Sequence, residues 1–135
     1  MYKRQEIETL LKMTNNESTQ IITQEFIEDI YEGDFRILII HGKPFKKTLA
    51  RIPQGDSFKG NLAAGGKGVV KDISDFQFEM ASEIGDFLIQ KDINFAGIDV
   101  IGNFLTEINV TSPTCARQIL DQSGENPIQE YFEKL

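Results

Sequence analysis

Asp99, Glu107 and Asn109 stand in a stretch whose neighbours Ile98, Val100, Ile101, Ile108 and Val110 are apolar, and this mixture restricts the backbone that can hold them. A carboxylate held among apolar side chains is costly unless a partner compensates it. The Ile- and Val-rich runs 93–101 and 105–110, separated by Gly-Asn-Phe, predict two antiparallel strands joined by a three-residue loop. With that loop Asp99 lies opposite Glu107, and the two-residue strand period carries Asn109 to the same face. Ile98, Val100, Thr106 and Ile108 then share the other face, whereas a two-residue turn would move Asp99 off the polar one. Two carboxylates and an amide oxygen suit one or two hard cations such as Mg²⁺. The same spacing also fits a solvated sheet face, or pairing with Lys and Arg.

The remaining segments predict an α+β chain without internal repeat. Ile7, Leu10 and Leu11 give a short helix over 6–13, ended by the polar run 14–19, and a first strand is expected at 20–26. Runs 36–40 and 45–52 flank His41-Gly42-Lys43-Pro44 as a hairpin. Ser74 and Gln77 form a capping-box pattern ahead of an apolar stripe of Phe76, Met80, Ile84, Phe87 and Leu88. Ser112-Pro113 and Asn126-Pro127 each set a capping residue before a proline, predicting two closing helices. The last of these is expected to bury Ile128, Tyr131, Phe132 and Leu135.

Other features admit more than one reading. The segment 52–68, IPQGDSFKGNLAAGGKG, has five glycines, so it reads either as a flexible linker or as a functional loop whose amides and Lys59 and Lys67 approach an anion. Arg36 opens one buried-looking strand and Arg51 closes the next, both within reach of that loop or simply of water. Thr111 and Ser112 precede a predicted helix N-terminus, which attracts anions but is equally an ordinary cap. The sole histidine, His41, is far from Cys115, so no Cys-His pair is evident and Cys115 reads as structural. The net charge of -7 argues against a nucleic-acid backbone as partner. No stretch approaches the roughly 20 apolar residues of a membrane span, and one cysteine allows no internal disulfide. A cytoplasmic protein is the expectation.

In order along the chain, EGDFR (32–36), ARIPQG (50–55), GNLAAGGKG (60–68), GIDVIG (97–102) and TEINVTSPTC (106–115) resemble the bacterial glutathione synthetases of the ATP-grasp superfamily. The Asp-then-Glu-x-Asn pattern is shared by many ATP-grasp ligases, whereas GNLAAGG with NVTSPTC is more specific to this family. The resemblance runs over residues 24–122. It implies that residues 1–135 are a single partial domain, the C-terminal ATP-grasp lobe, with an antiparallel sheet packed by helices and a long glycine-rich lid loop. The family's N-terminal substrate domain and upstream ATP-grasp lobe have no counterpart here.

The resemblance further implies an ATP-dependent ligase that joins γ-glutamylcysteine and glycine through an acyl phosphate, releasing ADP and Pi. Mg²⁺, or Mn²⁺ in its place, would sit on Asp99, Glu107 and Asn109, with Arg51 and Arg36 on the acyl phosphate and other anions. Asn61 and Lys67 would serve in the lid loop. Gln24, Glu25, Phe26 and Ile27 would meet the adenine, Asp34 would lie near the ribose, and Thr111 and Ser112 would help hold substrate. The complete enzyme is expected to be a homo-oligomer, and the isolated chain to be inactive. The competing readings are another ATP-grasp carboxylate-amine ligase and a noncatalytic assembly module derived from one.

Overall fold

A computed structural model describes residues 4–22, 24–55, 60, 62 and 65–135. Helix α1 (Arg4–Met13) and a 3-10 turn (Glu28–Tyr31) precede strands β1 (Asp34–Ile40), β2 (Lys43–Ile52) and β3 (Lys67–Asp72). Helix α2 (Asp75–Ile89), strands β4 (Phe95–Ile101) and β5 (Phe104–Asn109), and helices α3 (Ala116–Ser123) and α4 (Pro127–Glu133) follow. The strands form one sheet in the order β3-β2-β1-β4-β5, with every neighbouring pair antiparallel. The expected α+β architecture is therefore present.

Strand alternation sorts the apolar residues onto two faces. Ile37, Ile39, Ala96, Ile98 and Val100 pack with Ala81 and Leu88 of α2, while Leu38, Ile40, Phe45 and Leu49 pack with Cys115 and Ile119 at α3. The β1–β2 connection is a tight turn in which His41 (φ 47°) and Gly42 (φ 77°) both take positive φ, the requirement of a two-residue type I′ hairpin. Edge strand β3 is protected by Gln122 of α3, which accepts from the Val70 amide at 2.9 Å and donates to the Gly68 carbonyl at 3.2 Å. Among the described residues no helix is long and apolar enough to cross a membrane.

Several expectations need correction. The described residues of 20–26 form no strand and do not pair with the sheet, which ends at β5. Conversely 67–72 are a strand, for which Val69-Val70 is the only local signal. The buried face of α2 is Gln77, Ala81, Gly85 and Leu88 with Met80 and Ile84 beside it, while Phe76 and Phe87 point outward. Helix α3 starts at Ala116, not after Ser112, because the Thr111 and Ser112 amides donate to Asn109 Oδ1 and Pro113 keeps its predecessor extended. Asn126 does cap α4 with Pro127 at its first turn. That helix docks through Pro127 and Tyr131, one turn apart, which leaves Ile128, Phe132 and Leu135 exposed.

Helix α2 lies so close to the β1–β2 turn that a Cβ on Gly85 would stand 2.1 Å from the Gly42 carbonyl oxygen. Neither group is the end of a flexible side chain, so helix or turn must move. We expect Gly85→Ala to cost about 1–3 kcal/mol, read as a lower urea midpoint at unchanged slope. An unchanged midpoint would contradict this close approach.

Candidate functional site

The β4–β5 connection is the two-residue turn Gly102-Asn103, with Ile101 opposite Phe104 and Val100 opposite Leu105. The expected three-residue loop is thus absent, and uninterrupted pairing would set Asp99 against Thr106. The ladder instead slips by one residue, so that Thr106 is extra and Asp99 stands opposite Glu107, with Gly97 opposite Asn109. Thr106 Oγ1 donates to the Asp99 carbonyl at 3.1 Å within this bulge. The polar face expected from the sequence is formed, by a bulge rather than by a longer loop.

On β1, Arg36 stands directly opposite Asp99, and Asp34 opposite Arg51 of β2, so all four side chains share the α3 face. Arg36 holds Asp99 in a fork: Nε donates to Oδ1, and Nη2 donates to Oδ2 at 2.8 Å. Arg51 Nη2 lies 2.8 Å from Asp99 Oδ2 and donates to Asp34 Oδ2 at 2.5 Å. Arg36, Arg51 and Asp99 are each under 8% exposed. Gly97 makes the fork possible, since a Cβ there would meet Arg36 Cδ at 3.1 Å and Pro113 Cβ at 2.9 Å.

Burial pushes the Asp34 carboxyl above its usual pKa, and the hydrogen bond and charge of Arg51 only partly offset that. Burial alone would lower the pKa of Arg51, but Asp34 and Asp99 outweigh it and raise the value, so the guanidinium stays charged. Three buried atoms of the cluster have no hydrogen-bond partner among the described residues: Asp34 Oδ1, Arg36 Nη1 and Arg51 Nε. Unpaired buried polar atoms are costly in a folded interior and are explained where a ligand completes them.

Glu107 is half exposed and, among the described residues, is held by Arg36 Nη2 at 3.8 Å. Asn109 shares its face, but its carboxamide oxygen accepts from the Thr111 and Ser112 amides at 3.2 and 3.1 Å, folding the loop that follows. Carboxylate oxygens offer about four acceptor positions in all, and Asp99 uses three of them, leaving one on Oδ1. One Asp99 Oδ1 position and the Glu107 carboxylate are thus the hard oxygen donors open to a divalent cation, although two guanidiniums already balance Asp99 and the Asn109 oxygen is engaged by two amides.

The other expected site residues fall around this cluster. Gln24, Glu25, Phe26 and Ile27 line a cleft of about 720 Å³ with Ile101, Phe104, Leu105 and Thr106, the last of these next to Glu107 in the hairpin. Lys67 opens β3 opposite Ile52, out of phase with Arg51, and is exposed. Asn61 lies outside the described residues. Gly60 returns the chain to the cluster: a Cβ on it would stand 2.5 Å from the Arg51 carbonyl oxygen and 3.4 Å from Asp34 Cβ. Thr111 and Ser112 are exposed next to Asn109. Sequence reasoning missed the Asp34–Arg51 pair, although Asp34 lies two residues before Arg36 and the strand period puts both on one face.

Removing one member of a buried charge pair leaves the other uncompensated. We expect Arg36→Ala to destabilise the fold by about 2–3 kcal/mol in urea unfolding, because the buried Asp99 carboxylate loses two of its three charged hydrogen bonds and keeps only Arg51. A loss below about 1 kcal/mol, the range of solvent-screened pairs, would contradict this burial.

Residues 2–124 match the family model described as the prokaryotic glutathione synthetase, ATP-grasp domain. The chain is 45% identical over 123 residues to the glutathione synthetase of Xylella fastidiosa (strain 9a5c), covering 91% of this chain and 39% of that protein. It is 50% identical over 120 residues to the glutathione synthetase of Nitrosomonas europaea, covering 89% and 37%. With the Pseudomonas aeruginosa glutathione synthetase the identity is 48% over 116 residues, covering 86% and 36%. The chain thus spans under two fifths of the length of these curated relatives. A match over nearly the whole chain, on a sheet whose bulged hairpin brings Asp99, Glu107 and Arg36 together, means that this chain belongs to the prokaryotic glutathione synthetase ATP-grasp domain family.

Proposed function

We propose that this chain is the C-terminal nucleotide- and metal-binding lobe of a glutathione synthetase, which joins γ-glutamylcysteine to glycine with ATP. The observation that carries the reading is the register that sets Asp99 across from both Glu107 and Arg36, with Arg51 on the same face. Asp99, Glu107 and Asn109 would hold Mg²⁺, or Mn²⁺ in its place. When bound, the cation supplies charge neutralisation and alignment for the nucleotide phosphates.

The chain's own residues do the rest by positioning and fixed charge. Arg51 and Arg36, each with an unpartnered buried N–H, present preorganised donors to the phosphoryl group and to the acyl phosphate formed on the γ-glutamylcysteine carboxylate. Because these donors are already desolvated, little reorganisation accompanies charge transfer. The amine of glycine then displaces phosphate. The cleft beside the hairpin, lined by Gln24, Glu25, Phe26 and Ile27, takes the adenine, with Asp34 on the ribose side. Thr111 and Ser112, folded back on Asn109, hold substrate. Asn61 and Lys67 of the glycine-rich segment shield the acyl phosphate from water. In this reading the complete enzyme is a cytoplasmic homo-oligomer, and residues 1–135 by themselves turn over no substrate.

Calorimetric titration of the chain with ATP, with and without Mg²⁺, tests the nucleotide site. Binding that requires Mg²⁺ and is lost in Glu107→Gln is the expected result. Equal binding without the cation, or with Gln at 107, would overturn the metal assignment. The isolated chain supplied with Mg²⁺, ATP, γ-glutamylcysteine and glycine is expected to yield no glutathione by chromatography; steady product formation would contradict the partial-domain reading.

A further inference from the structure

Asp34 is a carboxylate in a poor position. It opens β1 opposite Arg51, its side chain is only 18% exposed, and one of its oxygens is buried without a partner among the described residues. Gly60 closes over its Cβ. Its one hydrogen-bonded cation is shared: the same Arg51 Nη2 that meets Asp34 also meets Asp99. An asparagine would accept the same hydrogen bond without the cost of burying a charge. What the charge adds is a second pull on Arg51, directed away from Asp99.

Without that pull, Asp99 is the remaining carboxylate in contact with Arg51, and it already carries the whole fork of Arg36. Arg51 would settle fully on Asp99 and compete for the one Oδ1 acceptor position left to a cation. We propose that Asp34 is a positioning residue, which by sharing Arg51 keeps the Asp99 carboxylate open to the divalent cation and keeps Arg51 aimed at the reacting phosphate. This rests on the glutathione synthetase reading given above. It differs from a ribose contact in where the effect lies: in the cation requirement and through Arg51, rather than in recognition of the sugar.

The test uses the full-length protein that contains this segment. ATP binding is titrated by calorimetry against Mg²⁺ concentration for the parent protein, Asp34→Asn, Arg51→Gln and the double variant. Asp34→Asn is expected to raise the Mg²⁺ needed for half-saturation by about 10- to 100-fold, the usual effect of losing a group behind a metal ligand. It is expected to add nothing in the Arg51→Gln background, because its action passes through that residue. The urea midpoint of Asp34→Asn is expected to match that of the parent, so that a misfolded protein does not decide the matter. An equal penalty for Asp34→Asn with and without Arg51 would overturn the proposal. So would a parent preference for ATP over 2′,3′-dideoxy-ATP that Asp34→Asn abolishes, with the Mg²⁺ requirement unchanged. Absence of Mg²⁺-dependent ATP binding in the parent protein would instead overturn the underlying functional reading, and this proposal with it.

Discussion

The fork between Arg36 and Asp99 sits on the two strands at the middle of the sheet, and the arrangement of the polar face follows from it. Both residues are nearly inaccessible to water, so neither charge is tolerable alone. Keeping them paired constrains the neighbourhood. Gly97 must lack a side chain for Arg36 to pass over it, and Pro113 closes on the same spot. Thr48 donates to the Arg36 carbonyl at 2.8 Å from the adjacent strand. A buried ion pair is poor value as a source of stability compared with an apolar pair of the same volume. Its presence at the centre of this sheet fits the ligand chemistry proposed above, which needs fixed charge there.

That chemistry also accounts for the imbalance within the cluster. Arg36 and Arg51 are matched against Asp99 and Asp34, while Glu107 stands at the margin, half exposed and loosely held. In the proposed function a cation arriving alone meets an Asp99 already balanced by two guanidiniums, which weakens its hold. A nucleotide bringing its own negative charge engages the arginines, frees Asp99 and favours the cation in the same step. Cation and nucleotide binding are then coupled by the charges that leave three buried atoms without partners.

How far the sequence disclosed this depended on whether a feature was written in local periodicity or in pairing. The α2 capping box, the β1–β2 hairpin and the Asn126 cap were legible because each is specified by residues a few positions apart. The face shared by Asp99, Glu107 and Asn109 was legible in outcome and misread in cause: a bulge at Thr106 has no signature in a run of Phe, Leu, Thr, Glu and Ile. β3 was hidden because its ladder lies on β2, far away in the chain, and a glycine-rich approach gives no alternation to read. The apolar residues of 20–26 misled in the opposite direction, since β propensity alone does not decide whether a segment joins a sheet edge. Helix α4 was correct in its start and wrong in its buried face, because which stripe of a short helix meets the core is decided by the partner. The link from Asp34 to Arg51 needed the register of two strands, and appeared only with the sheet.

The central claim is that the hairpin face around Asp99 is a cation site that operates together with ATP. Paramagnetic broadening by Mn²⁺ in a ¹H–¹⁵N spectrum of the chain tests it residue by residue. In the presence of ATP, substoichiometric Mn²⁺ should broaden first the amides of 97–99 and 106–109 together with those of Arg36 and Arg51, and excess Mg²⁺ should restore them. Broadening confined to other acidic stretches of the surface, with 97–109 sharp at every Mn²⁺ level, would contradict the account.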